Sequence, residues 1–345
     1  MSDERPKDDD LPPFPASFNA THGLLTLDNV LDRVRSDIVS AAPLPGTAVR
    51  PLPAVGSRFG RYQLEAIIGE GSTSVIYRGV SGATVVALKI RRPIPAHGFS
   101  VLEADRHFLE EGRLLARLDH PHVVKVLEVD VFGELPFLAC ELVDGLSLDH
   151  EIEHHGRVEG ARVVSLAKAL ADALAVSHGQ GILHRDVKPG NVLLRRDGFP
   201  KLADFGSAAG VFQDPAGGKS TICGSPAYMA PEQITHPNEV DHRADMYGLG
   251  ATLYHAATGH PLFRRATPKE TLRAQLHELP DPVSAGAPGL EPWVSELIMR
   301  LLEKRPEDRF ARWDEVLAAL NATGSRRPER RASSIGRLLS SFLKK

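Results

Sequence analysis

The sequence predicts an α+β fold in two lobes, and three observations carry that prediction. Strand-like apolar runs dominate residues 62–137, a helical pattern takes over after Gly145, and the change happens once. Residues 1 to about 58 read as an extension, because Pro6, Pro12, Pro13, Pro15, Pro43, Pro45, Pro51 and Pro53 interrupt regular structure there. Inside it Leu27, Val30, Leu31, Val34 and Ile38 keep helical spacing. They predict an amphipathic helix over 24–40 that packs on its own domain or docks on a partner.

In the first lobe the runs 62–68, 75–78, 85–90 and 123–131 read as strands. One helix interrupts them over 104–118, with Phe108, Leu115 and Leu118 on one face. In the second lobe, helices are expected at 162–178, 244–258, 292–302 and 313–320. Beyond Asn321 the chain turns basic: Arg326, Arg327, Arg330, Arg331, Arg337, Lys344 and Lys345 face a single acid, Glu329. Ile335, Leu338, Leu339, Phe342 and Leu343 share one helical face, predicting an amphipathic helix over 335–345. Such a helix can lie on an anionic membrane surface or pack on a partner. No internal repeat is present.

Composition narrows the class. A net charge of −3 is mild and of the wrong sign for a nucleic-acid partner. Only Cys140 and Cys223 are present, which suits a reducing compartment rather than a disulfide framework. No apolar run reaches the roughly 18 residues of a membrane span. The acidic start at Asp3, Glu4, Asp8, Asp9 and Asp10 is the opposite of a secretory signal. A cytoplasmic protein is expected, whose tail can either touch a membrane surface peripherally or pack on its own domain or a partner.

The chemistry concentrates in His184, Arg185, Asp186, Val187, Lys188, Pro189, Gly190 and Asn191, followed by Asp204, Phe205 and Gly206. This spacing supplies what phosphoryl transfer to a hydroxyl needs. Asp186 can accept the hydroxyl proton, while Asn191 and Asp204 are hard oxygen ligands of the kind Mg²⁺ prefers. Lys188 can hold the transferring group as a point charge. Upstream, Gly69 and Gly71 sit in a turn between strands, where backbone amides can approach phosphate oxygens.

These motifs, in this order, resemble the eukaryotic-like, bacterial-type serine/threonine protein kinase family, from about Tyr62 to Leu320. The resemblance implies a bilobal fold: an antiparallel-sheet N-lobe (about 59–139) with one regulatory helix, and a helical C-lobe (about 145–321). Residues 1–58 and 322–345 then flank the domain. It implies ATP and Mg²⁺, with Mn²⁺ able to substitute, and protein Ser/Thr hydroxyls as acceptors. Asp186 would be the base, with Lys188 and Lys89 assisting, and Asn191 and Asp204 the metal ligands. Gly69, Gly71, Val75, Ala87, Lys89, Glu111, Glu141, Val143 and Leu193 would hold the nucleotide.

Several positions depart from the pattern or refine it. Ser74 replaces a third glycine, and Ser225 a threonine. Lys89 needs a carboxylate partner, and the match selects Glu111 over Glu110. Cys140 takes the gatekeeper position before the hinge. The family makes His184 structural, pairs Glu232 with Arg309, and braces the catalytic loop with Asp245. Arg185 beside the base implies control by phosphorylation in the activation segment, at Thr221 or else Ser220. Carboxylates that read basic substrates are replaced by Ser147, Gly190 and His255. The cluster His150, Glu151, Glu153, His154 and His155 reads as exposed charge. A pseudokinase scaffold is the rival, but no lysine, base or metal ligand is missing.

Overall fold

Alternating apolar residues close a six-stranded antiparallel sheet at the front of the chain. The computed structural model describes residues 50–96, 99–205 and 225–322. The strands are β1 (Arg58–Phe59), β2 (Tyr62–Glu70), β3 (Ser74–Ser81), β4 (Thr84–Arg91), β5 (Val126–Phe132) and β6 (Leu135–Glu141), in the order β1-β2-β3-β4-β6-β5. One face packs Phe59, Leu64, Tyr77, Leu88, Ile90 and Phe137 into an upper core. Side chains alternate along a strand, so β4 turns Ala87, Lys89 and Arg91 to the opposite face. β6 forms where the sequence pattern offered only a hinge, because Leu135 to Ala139 are all buried and show no alternation to read.

That opposite face is covered by α1 (Val101–Leu115). The helix starts before the expected residue 104 because Ser100 caps it. The Ser100 hydroxyl accepts from Glu103 N, and the Glu103 carboxylate accepts from Ser100 N at 3.0 Å. Leu115 and Leu118 reach down into the core of the second lobe.

The second lobe holds α2 (Leu148–His155), α3 (Gly160–Gly179), α4 (Pro231–Thr235), α5 (His242–Thr258), α6 (Pro268–His277), α7 (Val283–Gly286), α8 (Pro292–Leu301) and α9 (Trp313–Asn321). A small sheet of β7 (Gly145–Ser147), β8 (Val192–Arg195) and β9 (Pro200–Leu202) tops it beneath the first lobe. α5 is its axis, buried along almost its whole length. The lobes are stitched where Val124 N donates to Leu202 O at 2.9 Å.

One boundary moves. Residues 50–57 belong to the first lobe rather than to an outlying extension: Leu52 packs on the upper core, and the Tyr77 hydroxyl donates to Pro53 O at 2.9 Å. The helices expected over 24–40 and 335–345 lie outside the described residues, as do Gly206, Ser220, Thr221 and Cys223. Among the described residues no helix is long and apolar enough to cross a membrane.

Candidate active site

The loop from His184 to Asn191 is held from below by a buried carboxylate. Asp245, in the first turn of α5, accepts from His184 N at 2.7 Å and from Arg185 N at 2.6 Å. His178 Nε2 shares a third hydrogen bond with it at 2.7 Å. Burial alone would raise the Asp245 carboxyl, but the His178 bond and the imidazoles of His178 and His184 keep it below its ordinary value. This bracing holds Arg185 in a left-handed conformation (φ 65°), uncommon for a side chain with a Cβ. His184 Nε2 also bonds Ala203 O at 3.0 Å, and its ring lies 4.5 Å from that of Phe205. One buried imidazole thus ties the loop to Asp204, itself left-handed at φ 62°.

Asp186 is the centre of a dense polar cluster. Lys188 Nζ lies 2.6 Å from its Oδ2, and Ser225 N donates to its Oδ1 at 2.8 Å. Lys188 also donates to the Ser225 hydroxyl at 2.7 Å. Asn191 Nδ2 donates to Asp186 O at 2.8 Å. Spending the amide nitrogen inward leaves the Asn191 oxygen as the atom able to take a cation.

From the upper sheet Lys89 reaches down and ion-pairs with Asp204, 115 residues later. Burial would lower the ammonium, but Asp204 and then Glu111 outweigh it and leave Lys89 above its ordinary value. The Lys89 charge in turn holds Asp204 below the usual carboxylate range. Glu111 is the second negative charge acting on the Lys89 ammonium, after Asp204. No ion pair or hydrogen bond joins it to Lys89 among the described residues. Burial pushes Glu111 up to about 7, so its pull on the ammonium is weak beside that of Asp204.

The remaining predicted positions lie on or beside β2, β3, β4, β6 and β8, and one of them needs correction. Gly69 lies opposite Ile76 across β2 and β3, and Gly71 N donates to Ser74 O at 2.9 Å. Ala87 is half-buried and pairs with Cys140. Burial pushes the Cys140 thiol up to about 11, which makes it a small apolar group. Glu141 ends β6, and its carboxylate accepts from Lys125 N at 2.8 Å and Lys201 Nζ at 2.6 Å. Val143 lies between β6 and β7, and Leu193 is half-buried on β8 between buried Val192 and Leu194. Val75 does not face the crevice. It is 2% exposed and packs with Tyr77, Leu88 and Ile90 in the upper core. Cross-strand partners share a face, and the partner of Lys89 is Ile76. The residue over the site is therefore Ile76. Folding β3 back on β4 about the two-residue turn at Gly82, which sets Ser81 opposite Thr84, leads to it.

Two further contacts lie on the acceptor side. Glu232 receives a two-pronged ion pair from Arg309, at 2.5 and 2.8 Å, joining the segment after residue 224 to the end of the domain. The Tyr228 hydroxyl shares a 2.7 Å hydrogen bond with His255 Nδ1. Burial lowers His255, which favours the neutral ring.

Comparison with known proteins agrees with this geometry. The model of the protein kinase domain matches residues 62–320. The serine/threonine-protein kinase PknH of Mycobacterium tuberculosis is 35% identical over 272 residues, covering 78% of this chain and 43% of the relative. Pkn1 of Myxococcus xanthus is 37% identical over 273 residues, covering 75% and 38%. PknL of Mycobacterium bovis is 33% identical over 259 residues, covering 73% and 62%. The chain spans less than half the length of the first two.

Proposed function

The chain belongs to the protein kinase family, and from that premise we propose that it is a serine/threonine protein kinase, transferring the γ-phosphoryl group of ATP to hydroxyls of protein substrates. The observation that carries this reading is the convergence in one crevice. Lys89 of the upper sheet meets Asp204 of the lower lobe, beside the linked Asp186, Lys188 and Asn191.

The residues suggest how the work is divided. An acceptor hydroxyl beside Asp186 gives its proton to that carboxylate as its oxygen bonds to the γ-phosphorus and the β–γ bridging bond breaks. Lys188 lies close enough to both Asp186 and Ser225 to place positive charge at the transferring oxygens. Lys89 would steady the α- and β-phosphates from above. The side-chain oxygens of Asn191 and Asp204 suit a divalent cation, Mg²⁺ by their hardness. When bound, that ion neutralises phosphate charge. Ser225 and Lys188 together favour Ser and Thr acceptors.

Incubating parent and Asp186→Asn proteins with Mg-ATP, and mapping the phosphosites formed, tests this. Phosphoserine or phosphothreonine should form with the parent and fall by about 10²–10⁴-fold in the variant. Equal labelling of both would overturn the assignment. We also assign Thr221 as the activating site, read from Arg185 beside the base. Thr221→Ala should lower turnover without lowering Tm, and equal turnover would remove that assignment.

A further inference from the structure

Residues 50–57 precede the region matched by the kinase family, yet they cross the first lobe as a strap. At one end Gly56 N donates to Leu64 O at 2.8 Å, and Gln63 Nε2 to Gly56 O at 2.7 Å. Midway, Leu52 sits on the upper core and Pro53 O accepts from Tyr77. At the other end Arg50 donates to Glu134 O in the β5–β6 turn at 2.8 Å. The same guanidinium reaches Asp105 of α1, NH1 to Oδ2, at 3.1 Å.

Asp105 is a junction. It is 8% exposed, and its other oxygen accepts from Arg91 NH1 at 2.6 Å. Arg91 is itself buried and stands two residues beyond Lys89 on the same face of β4. Glu111 lies six residues further along α1, less than two helical turns away. A single carboxylate therefore joins the strap, the strand that carries Lys89 and the helix that carries Glu111. Without Arg50, Asp105 would keep Arg91 as its counter-ion, so the fold would survive and only the tie would be lost.

We propose that Arg50 is a positioning residue, fixing α1 on the sheet through Asp105 and so setting where Glu111 stands relative to Lys89. The strap becomes a handle, outside the family domain, by which the nucleotide site can be tuned. This rests on the kinase reading, which supplies the role of Glu111.

The test uses the full chain with Arg50→Ala and Arg50→Lys, read by hydrogen exchange and by steady-state kinetics. Arg50→Ala should speed exchange of α1 amides about tenfold, the scale of one lost charge-assisted hydrogen bond. The KM for ATP should rise about threefold to tenfold with the KM for protein acceptor unchanged, and Arg50→Lys should restore most of both. Unchanged α1 exchange in an active protein would overturn the strap. So would faster exchange over the whole sheet with an unaltered KM for ATP, the mark of a merely structural contact. A parent protein that transfers no phosphoryl group would instead sink the kinase reading, which keeps the two failures apart.

Discussion

Glu111 is a buried carboxyl beside Lys89 and Asp204 whose charge state changes near neutral pH. Its carboxyl stands at about 7 in the folded protein because it is buried, against an ordinary value of 4.5. Between those two pH values the folded chain holds a proton that the unfolded chain has released. Stability should therefore fall as pH rises from about 4.5 to about 7 and level off above. Glu111→Gln should flatten that slope, measured as Tm against pH. An equally steep slope in the variant would show that another group titrates. The alternation on β3 gives a second contrast. Val75→Ala should cost about 2 kcal/mol of stability because it hollows the upper core. Ile76→Ala should mainly raise the KM for ATP, because the side chain shares its face with Lys89. Denaturant melts and ATP kinetics on both variants separate these roles. The register that distinguishes them is set by the hairpin turn at Gly82, which puts Ile76 opposite Lys89, whereas a count by twos along the chain from Lys89 lands on Val75.

At the scale of elements, what the sequence revealed and what it hid follow from burial. α3, α5, α8 and α9 matched expectation to within a few residues because each shows an apolar pattern long enough to read. β6 stayed hidden because burial on both faces removes alternation. α6 is not among the expected helices, although Thr267 and Glu270 cap each other at its start and Pro268 opens its first turn. The carboxylate that Lys89 meets was hidden for another reason: competition between Asp204 and Glu111 depends on distances that no spacing reports. Between the lobes, β7 lies close against β8 beneath the crevice. A Cβ on Gly145 would stand 1.7 Å from Leu194 O, and a backbone atom cannot rotate away. Gly145→Ala should part β7 from β8, costing about 1–3 kcal/mol and displacing Leu193 beside it. Both a lower Tm and a raised KM for ATP are expected. An alanine variant with the parent's Tm would show that β7 shifts freely and contributes no register to the site.

Across the whole molecule, the crevice depends on ties that converge on α5. Asp245 at its start orders the catalytic loop, while Arg309 closes the far side. The Arg309 side chain is fully buried, stacks 5.0 Å from the Tyr247 ring centroid and donates to both oxygens of Glu232. It donates as well to the carbonyls of Glu303, Arg243 and Lys304. Few side chains but arginine could satisfy five acceptors around one planar group. Arg309→Leu would strand the Glu232 carboxylate, whose own side chain is only 13% exposed, together with three backbone carbonyls. Breaking a buried pair from one side costs about 3–5 kcal/mol, a large share of the roughly 5–15 kcal/mol that holds a domain together. Urea melts should show the midpoint falling by that amount divided by the slope, with the slope itself unchanged. The Glu232→Gln, Arg309→Leu double variant should recover part of the loss, since it leaves no unpaired charge behind. A loss below about 1 kcal/mol in the single variant would mean that the segment after residue 224 is held to the lobe by packing alone, and that Arg309 adds specificity without strength.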